Sequence, residues 1–466
     1  MMKKYLVFIL AIVMAVAAVI PSYADDGFAV KQSVVKLDEG LCNINVAVPY
    51  FEGFKGADEI NTKIRNLVID YIGDARTTGI ELEKIKEEAI KNGETFNETF
   101  NARSTVDIYY DYSIDGNILS VQLYIDTYSG GAHGMNFINS ITANTLTGEI
   151  YGFKDLFKDS KAGTKLVSEL IVSSIKENPE IYVDNNAPQT VLDKDGEFNF
   201  YFNGNKLIVY FDLYEIAAYS SGIPQFEIEF DQIKNLLKDN IYNSIKDGAE
   251  RGYVNYNGND IKGGHKVLEK DMPLIPLRDM AEAMGYKISW NRNDGAIIDG
   301  KGAIKDDSQF IIDGITYVPF QFFRDTLDEN IYLGYLSDGS FAVRAFDKDG
   351  YENNFDRLIK DFRFPSSEKE AVEMYADAVT SRNGAVQYGL LSDKLRKEKY
   401  STLYELNFVT GTSSPWVDSY KISKTGDYSY RIDFTLKTSV PDDVSTSTFD
   451  IKVEQVNEFW RITSIK

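Results

Sequence analysis

The apolar positions change period several times along the chain, and each change predicts a different element. Ile60, Ile64, Leu67 and Tyr71 recur at helical spacing, and a second, charged helix is expected near Leu82 to Lys91. Val106, Ile108, Tyr110, Tyr112 and Ile114 then alternate strictly. After the turn Asp115-Gly116-Asn117, Leu119, Val121, Leu123 and Ile125 alternate again, which predicts a long β-hairpin with one apolar face. A strand near Asn139 to Asn144 leads to a turn at Thr147-Gly148. Val167, Leu170, Ile171 and Ile175 mark a helix closed by Asn178-Pro179. Two strands flank Asn203-Gly204-Asn205, with Leu207, Val209, Phe211 and Leu213 on one side, and a strand through Phe226, Ile228 and Phe230 runs into a helix from Asp231. Hairpin-linked strands with helices between them predict antiparallel sheets covered by helices, the α+β class.

A boundary is expected over Gly248 to Tyr256, followed by a second unit to about Phe346 that contains an internal echo. Pro276-Leu277-Arg278-Asp279 is partly repeated by Pro319-Phe320-Gln321-Phe322-Phe323-Arg324-Asp325, and in each a strand end with Pro is expected to open a helix in its first turn. Residues 347–367 read as a polar linker. From Glu368 a helix (Ala371, Met374, Tyr375, Ala378) and further helix to about Leu406 precede alternating strands through Tyr430, Ile432, Phe434, then Phe449, Ile451, Val453. Helices followed by a curled antiparallel sheet predict an open cone.

Composition narrows the function. Lys and Arg total 50 against 71 Asp and Glu, a net charge of −21, which repels nucleic acid and anionic lipid and favours cationic partners. One cysteine, Cys42, and two histidines, His133 and His265, exclude an intramolecular disulfide, a thiolate metal cluster and a three-imidazole site within one chain. Cys42, among Leu41, Ile44 and Val46, reads as a buried free thiol. Met1 to Ala24 reads as a secretory signal, with Lys3 and Lys4, an apolar run from Tyr5 to Ile20, Pro21, and Ser22-Tyr23-Ala24 for cleavage. The run is shorter than the roughly 20 residues of a membrane span, and no later segment is apolar enough for one.

Three stretches resemble known families. Asp126-Thr127-Tyr128-Ser129-Gly130-Gly131-Ala132-His133-Gly134, then Thr147-Gly148 and Leu156-Phe157, then Tyr210-Phe211 through Tyr214-Glu215-Ile216-Ala217-Ala218-Tyr219-Ser220-Ser221-Gly222, occur in one order. Together they resemble the paired extracellular domain of lysozyme-sensing anti-sigma factors, also found at the front of some peptidoglycan deacetylases. The resemblance implies a binding module over 25–245, in two subdomains of about 28–115 and 116–240. Residues 253–346 are similar to the small N-terminal domain of copper amine oxidases, a unit appended to many secreted Gram-positive proteins. Residues 368–466, with Arg382-Asn383-Gly384-Ala385 and Ser413-Ser414-Pro415-Trp416, resemble an NTF2-like cone. The cytoplasmic sigma-binding segment of the anti-sigma factors and the catalytic domain of the deacetylases have no counterpart here. Copper oxidase chemistry is set aside because the histidines are too few and Asn255-Tyr256-Asn257 lacks the following acid.

Several short motifs carry candidate chemistry. Gly130 and Gly131 allow backbone angles closed to other residues, so the Tyr128–His133 segment reads either as a glycine-dependent turn or as a partner surface. Stiff, exposed aromatic rings give contact area at low entropic cost, and on the second reading Tyr128, Ser129, Gly130, Gly131, His133, Tyr214 and Tyr219 bind the ligand. Ser173-Ser174-Ile175-Lys176, Tyr253-Val254-Asn255 and Lys424-Thr425-Gly426 follow the order of penicillin-recognising enzymes, but Ser173 falls near a helix end and Lys424 in a hairpin turn. Asp193-Lys194-Asp195-Gly196 and Asp347-Lys348-Asp349-Gly350 lack the glycine position and closing glutamate of a calcium loop and read as turns. The expectation is a secreted, non-enzymatic protein without cofactor or metal. It would work outside the cell or at the wall of a Gram-positive-type bacterium, capturing a cationic protein such as lysozyme, or a cell-wall glycan. A wall-modifying hydrolase or acyltransferase and a structural surface-matrix component are the alternatives.

Overall fold

The computed structural model describes residues 29–466 except 95, 97–102, 183–185, 205, 247–253, 257–258, 263–265, 269–271, 292–294, 300–301, 304–308, 328–329, 336–340, 347–353, 412 and 441. The expected signal, His265, Tyr253 and the 347–350 turn therefore lie outside the described residues. No helix among the described residues is long and apolar enough to cross a membrane.

Strands β1 (Ala29–Glu39), β2 (Cys42–Glu52), β3 (Ser104–Asp115), β4 (Ile118–Tyr128) and β5 (Met135–Asn144) form one sheet in that order. Only β2 and β3 pair in parallel, and the crossover this demands is the helix α1 (Ala57–Lys91). The alternation works as expected: Val106, Ile108, Tyr110 and Tyr112 join Leu119, Val121, Leu123 and Ile125 in one core with α1. α1 is a single helix of 35 residues where two were expected. It carries Gly73 and Gly79, poor helix formers, because a Cβ at Gly73 would stand 2.6 Å from the Phe362 ring and one at Gly79 would stand 2.8 Å from Cys42 Cβ. Cys42 is buried, its Sγ donating to Ala75 O at 3.5 Å, and burial pushes its thiol pKa up.

The next segment has α2 (Ser160–Glu177), capped by Asp159 and stopped at Asn178-Pro179, and α3 (Ala187–Asp193). They precede a three-stranded antiparallel sheet of β6 (Asn199–Asn203), β7 (Lys206–Tyr210) and β8 (Gln225–Glu229). Phe200, Phe202, Leu207, Val209, Phe226 and Ile228 face α2 in a second core, while Tyr201, Ile208 and Tyr210 turn to Ile138 of the first sheet. Hydroxyls stitch the two sheets: Ser113 Oγ donates to Phe202 O at 2.8 Å and Ser140 Oγ to Phe200 O at 2.7 Å. A subdomain division at 115/116 would cut the β3–β4 hairpin, which pairs from Thr105–Tyr128 to Asp115–Ile118; the sheet ends only at Asn144.

In the following unit the two echoed motifs pair with each other. Met272–Pro276 runs antiparallel to Ile315–Pro319, and the helices Leu277–Ala283 and Gln321–Leu327 follow them. Pro276 stands at the N-cap, one position before the first turn where it was expected.

The C-terminal unit has helices Asn354–Ile359, Glu368–Thr380, Gly384–Gly389 and Asp393–Glu405 before a four-stranded antiparallel sheet, Trp416–Gly426, Ser429–Lys437, Val444–Val456 and Phe459–Ile465. It shares its core with the first sheet and α1. Asn66, Asp70, Gly73 and Thr77, a stripe along α1, meet it. Tyr388 Oη donates to Asn66 Oδ1 at 2.8 Å, and Asp70 accepts from Arg396 and Arg461. Phe362 fills the space between Gly73 and Gly389, and Phe364 N donates to Thr77 Oγ1 at 3.0 Å. The linker expected over 347–367 is thus core from Asn354 onward, with Phe355, Ile359, Phe362 and Phe364 buried.

Gly73→Ala should test this fit. Helix propensity alone favours alanine by about 1 kcal/mol, but the methyl would overpack the Phe362 wedge at a cost of ~1–3 kcal/mol. Urea denaturation should show net destabilisation, and a gain in stability would show that Phe362 is not seated on Gly73.

Candidate functional site

The β4–β5 turn and the connection from β7 to β8 project from the same end of the two stacked sheets. In the first, Gly130 and Gly131 adopt φ of +100° and +95°, and Tyr128 Oη donates to Gly131 O at 2.8 Å. In the second, Tyr214 holds φ at +67°, a left-handed conformation costly for a residue with a Cβ. A short turn, Tyr219–Ser221, follows.

The two loops meet through their rings. His133 and Tyr219 stack with centroids 4.0 Å apart and planes 25° apart, and Tyr214 lies 5.8 Å from Tyr219 at 30°. Tyr219 Oη donates to Gly134 O at 3.0 Å, and His133 Nδ1 lies 2.9 Å from the same carbonyl. A carbonyl only accepts, so Nδ1 carries the proton, and in the neutral ring Nε2 accepts from Tyr214 Oη at 3.3 Å. Tyr214 is 55% exposed, His133 is exposed, and Tyr128 and Tyr219 are half-buried. The structure therefore gathers Tyr128, His133, Tyr214 and Tyr219, while Ser129, Gly130 and Gly131 supply the turn that carries them. Gly134 was not singled out among the candidates, yet its carbonyl anchors two of the rings. It has no room for a side chain: a Cβ there would stand 2.5 Å from Thr127 O. Its signal was the last glycine of the Gly-Gly-Ala-His-Gly run.

Carboxylates border the patch. Asn45, Asp107, Asp126 and Asn136 occupy one row across four strands, with Asn45 donating to Asp107 and Asn136 to Asp126. Burial raises both carboxyl pKa values, each amide hydrogen bond opposes it, and the Asp107 charge raises Asp126 further. Two residues before Tyr214, Asp212 is raised by desolvation and by Glu215, against the pull of Lys194. Lys194 is itself paired with Glu215 at 2.6 Å. A positively charged group approaching the rings meets this acidic border.

The other motifs stay apart. Ser173 and Ser174 sit in the last turns of α2, beside β8. Lys424 lies inside the strand Trp416–Gly426 of the C-terminal sheet rather than in the expected turn, with its ammonium 2.6 Å from Glu368. Asp195 and Gly196, at φ of +44° and +82°, form a tight turn. Among the described residues no group of three or more His, Cys, Asp or Glu is placed to hold a metal ion.

Two family models match this region. Residues 35–136 match the family described as deacetylase PdaC, and residues 154–231 match the protein family of unknown function DUF3298. The chain contains a PdaC-like domain followed by a DUF3298 domain. The PdaC-like match spans β3, β4 and the glycine turn with His133, and the DUF3298 match spans the loop with Tyr214 and Tyr219, so the ring cluster joins the two domains. Among solved structures, a DUF3298 family member from Bacteroides fragilis is 18% identical, covering 47% of this chain and 97% of its own, with a TM-score of 0.33. A DUF3298 family protein from Pseudomonas aeruginosa is 14% identical over 47% of this chain and 98% of its own, with a TM-score of 0.31. No curated protein matches the chain.

The acidic row yields a pH prediction. Because the folded-state pKa values of Asp107 and Asp126 lie above their unfolded values, ionising them weakens the fold. Asp126→Asn, which keeps the acceptor for Asn136, should be more stable than the parent at neutral pH. The gain should vanish as pH falls below about 3, where both states of the parent carry the proton. Denaturation midpoints measured across pH check this, and a gain that persists in acid refutes it.

Proposed function

We propose that the chain is an exported binding protein of the cell envelope, which captures a cationic protein or a wall glycan on the Tyr128–His133–Tyr214–Tyr219 face without chemical turnover. The cluster itself carries the reading. Four aromatic side chains from two domains are fastened by their own hydroxyls and ring nitrogen to backbone or to one another, and remain accessible. Stacked rings of this kind fit the apolar face of a sugar or an arginine side chain. The acidic border and the net charge of −21 favour a positively charged protein, and lysozyme is the most concrete candidate. The families support a wall-related role, since one is described as a deacetylase and the sequence motifs resemble lysozyme-sensing modules. The regions at 253–346 and 368–466 would act as spacer or wall-associated modules.

The deacetylase description also favours a second reading, a wall-modifying enzyme. Acetate release from N-acetylglucosamine oligomers by the full chain would establish it and overturn the first.

Calorimetric titration with purified lysozyme should give saturable heat at low ionic strength and weaker binding at moderate ionic strength. Tyr219→Ala and His133→Ala should each weaken it about tenfold or more, as for central aromatic anchors. No heat at either salt removes lysozyme as ligand, and unchanged affinity in both variants removes the aromatic face. Tyr214→Gly relieves a left-handed tyrosine, so it should leave the melting temperature unchanged or higher while binding falls.

A further inference from the structure

A cleft of about 510 Å3 opens where the PdaC-like domain, the DUF3298 domain and the C-terminal unit meet, and shares no lining residue with the aromatic face. Lys63 and Asn66 of α1, Asn139 of β5, Asn199 of β6, and Asp393 and Arg396 of the C-terminal unit line it. Its volume is that of a site for a small organic ligand.

One guanidinium in its wall is incompletely hydrogen-bonded. Asp70 accepts from Arg396 Nη2 at 3.1 Å and from Arg461 Nη2 at 2.8 Å, so one carboxylate serves two guanidinium groups that are 1% and 6% exposed. Burial and the adjacent Arg396 charge push the Arg461 pKa below its ordinary value. Arg396 Nε and Nη2 also donate to Tyr388 O and Gly389 O, but Nη1 makes no hydrogen bond. The acid facing it is Asp393, at 3.9 Å, too far for a hydrogen bond, on a side chain that is 86% exposed. Glu197, also in the wall, is held by Lys154 at 2.8 Å. Lys63 adds an exposed ammonium. Asn66 Oδ1 accepts from Tyr388, and its amide nitrogen can donate. Arg396 Nη1 is thus a buried donor with no acceptor within hydrogen-bond distance, at the wall of a cleft that a ligand can enter.

We propose that this cleft binds a small carboxylate ligand, whose carboxylate displaces Asp393 and accepts the hydrogen bond of Arg396 Nη1, with Lys63 as the second cationic contact. One unpartnered guanidinium nitrogen and one exposed ammonium, among three acids, suit a single carboxylate rather than a phosphate dianion. Asp393 then acts as a loosely held stand-in for the ligand. Two sources offer this chemistry at the right size, an acidic amino sugar and the free end of a short peptide.

Calorimetric titration of the full chain with N-acetylmuramic acid and with N-acetyl-alanyl-alanine distinguishes them, using N-acetylglucosamine and the dipeptide amide as uncharged counterparts. One acid should bind saturably and its uncharged counterpart should not. Lys63→Ala should weaken that binding about tenfold, and Asp393→Asn should tighten it several-fold by removing the competing carboxylate. Tyr219→Ala should leave it unchanged, which separates this site from the aromatic face. The proposal is overturned by any of three results: neither acid binds the parent or Asp393→Asn, the uncharged counterparts bind equally, or Asp393→Asn fails to tighten binding. Arg396 itself is not substituted, because its loss would disturb the core.

Discussion

A helix buried on two opposite sides needs two complementary surfaces, and α1 obtains them from opposite ends of the chain. The five-stranded sheet covers one side, and the C-terminal unit covers the stripe of Asn66, Asp70, Gly73 and Thr77. The polar members of that stripe are each matched by a donor or acceptor, as a buried polar contact requires. The glycine is matched by an aromatic ring. Gly73 and Gly389 sacrifice local helix preference so that Phe362 can lie between them. Sheet, helix and C-terminal unit therefore behave as one packed body, and the DUF3298 sheet is joined to it by hydroxyl bonds across the second face.

That rigidity is what the aromatic face requires. The two loops grow from strand ends whose positions are set by paired sheets, and Gly134 O receives hydrogen-bond donors from both. A strained tyrosine backbone persists only where its surroundings over-determine it, and such strain gathers at functional sites. Tyr214 lies between a buried framework, Phe211 and Leu213 before it and Ile216 and Ala217 after it, which provides that constraint.

Most of the fold was legible because alternation and helical spacing are direct consequences of one-sided burial. The hairpin of Val106 to Ile125 and the helix through Val167 and Ile175 fall where the pattern places them. The second face of α1 was not legible. Asn66, Asp70 and Thr77 are the residue types of a solvated surface, and only the partners 300 or so residues away make them half-buried contacts. The same blindness turned Asn354–Phe364 into a linker, since a few aromatic residues among polar ones have no period to detect. At the aromatic face, residue types and glycines pointed to both loops, but nothing in sequence spacing shows that His133 would stack on Tyr219.

The two-sided burial of α1 has a consequence for biosynthesis. Asp70 leaves the ribosome 326 residues before Arg396, so the early half of the protein is made while half of its helix surface lacks a cover. Until the last segment arrives, that surface is a docking place for chaperones and a target for proteases. A message truncated late in its reading frame would therefore release a product whose intact first domains are nonetheless short-lived.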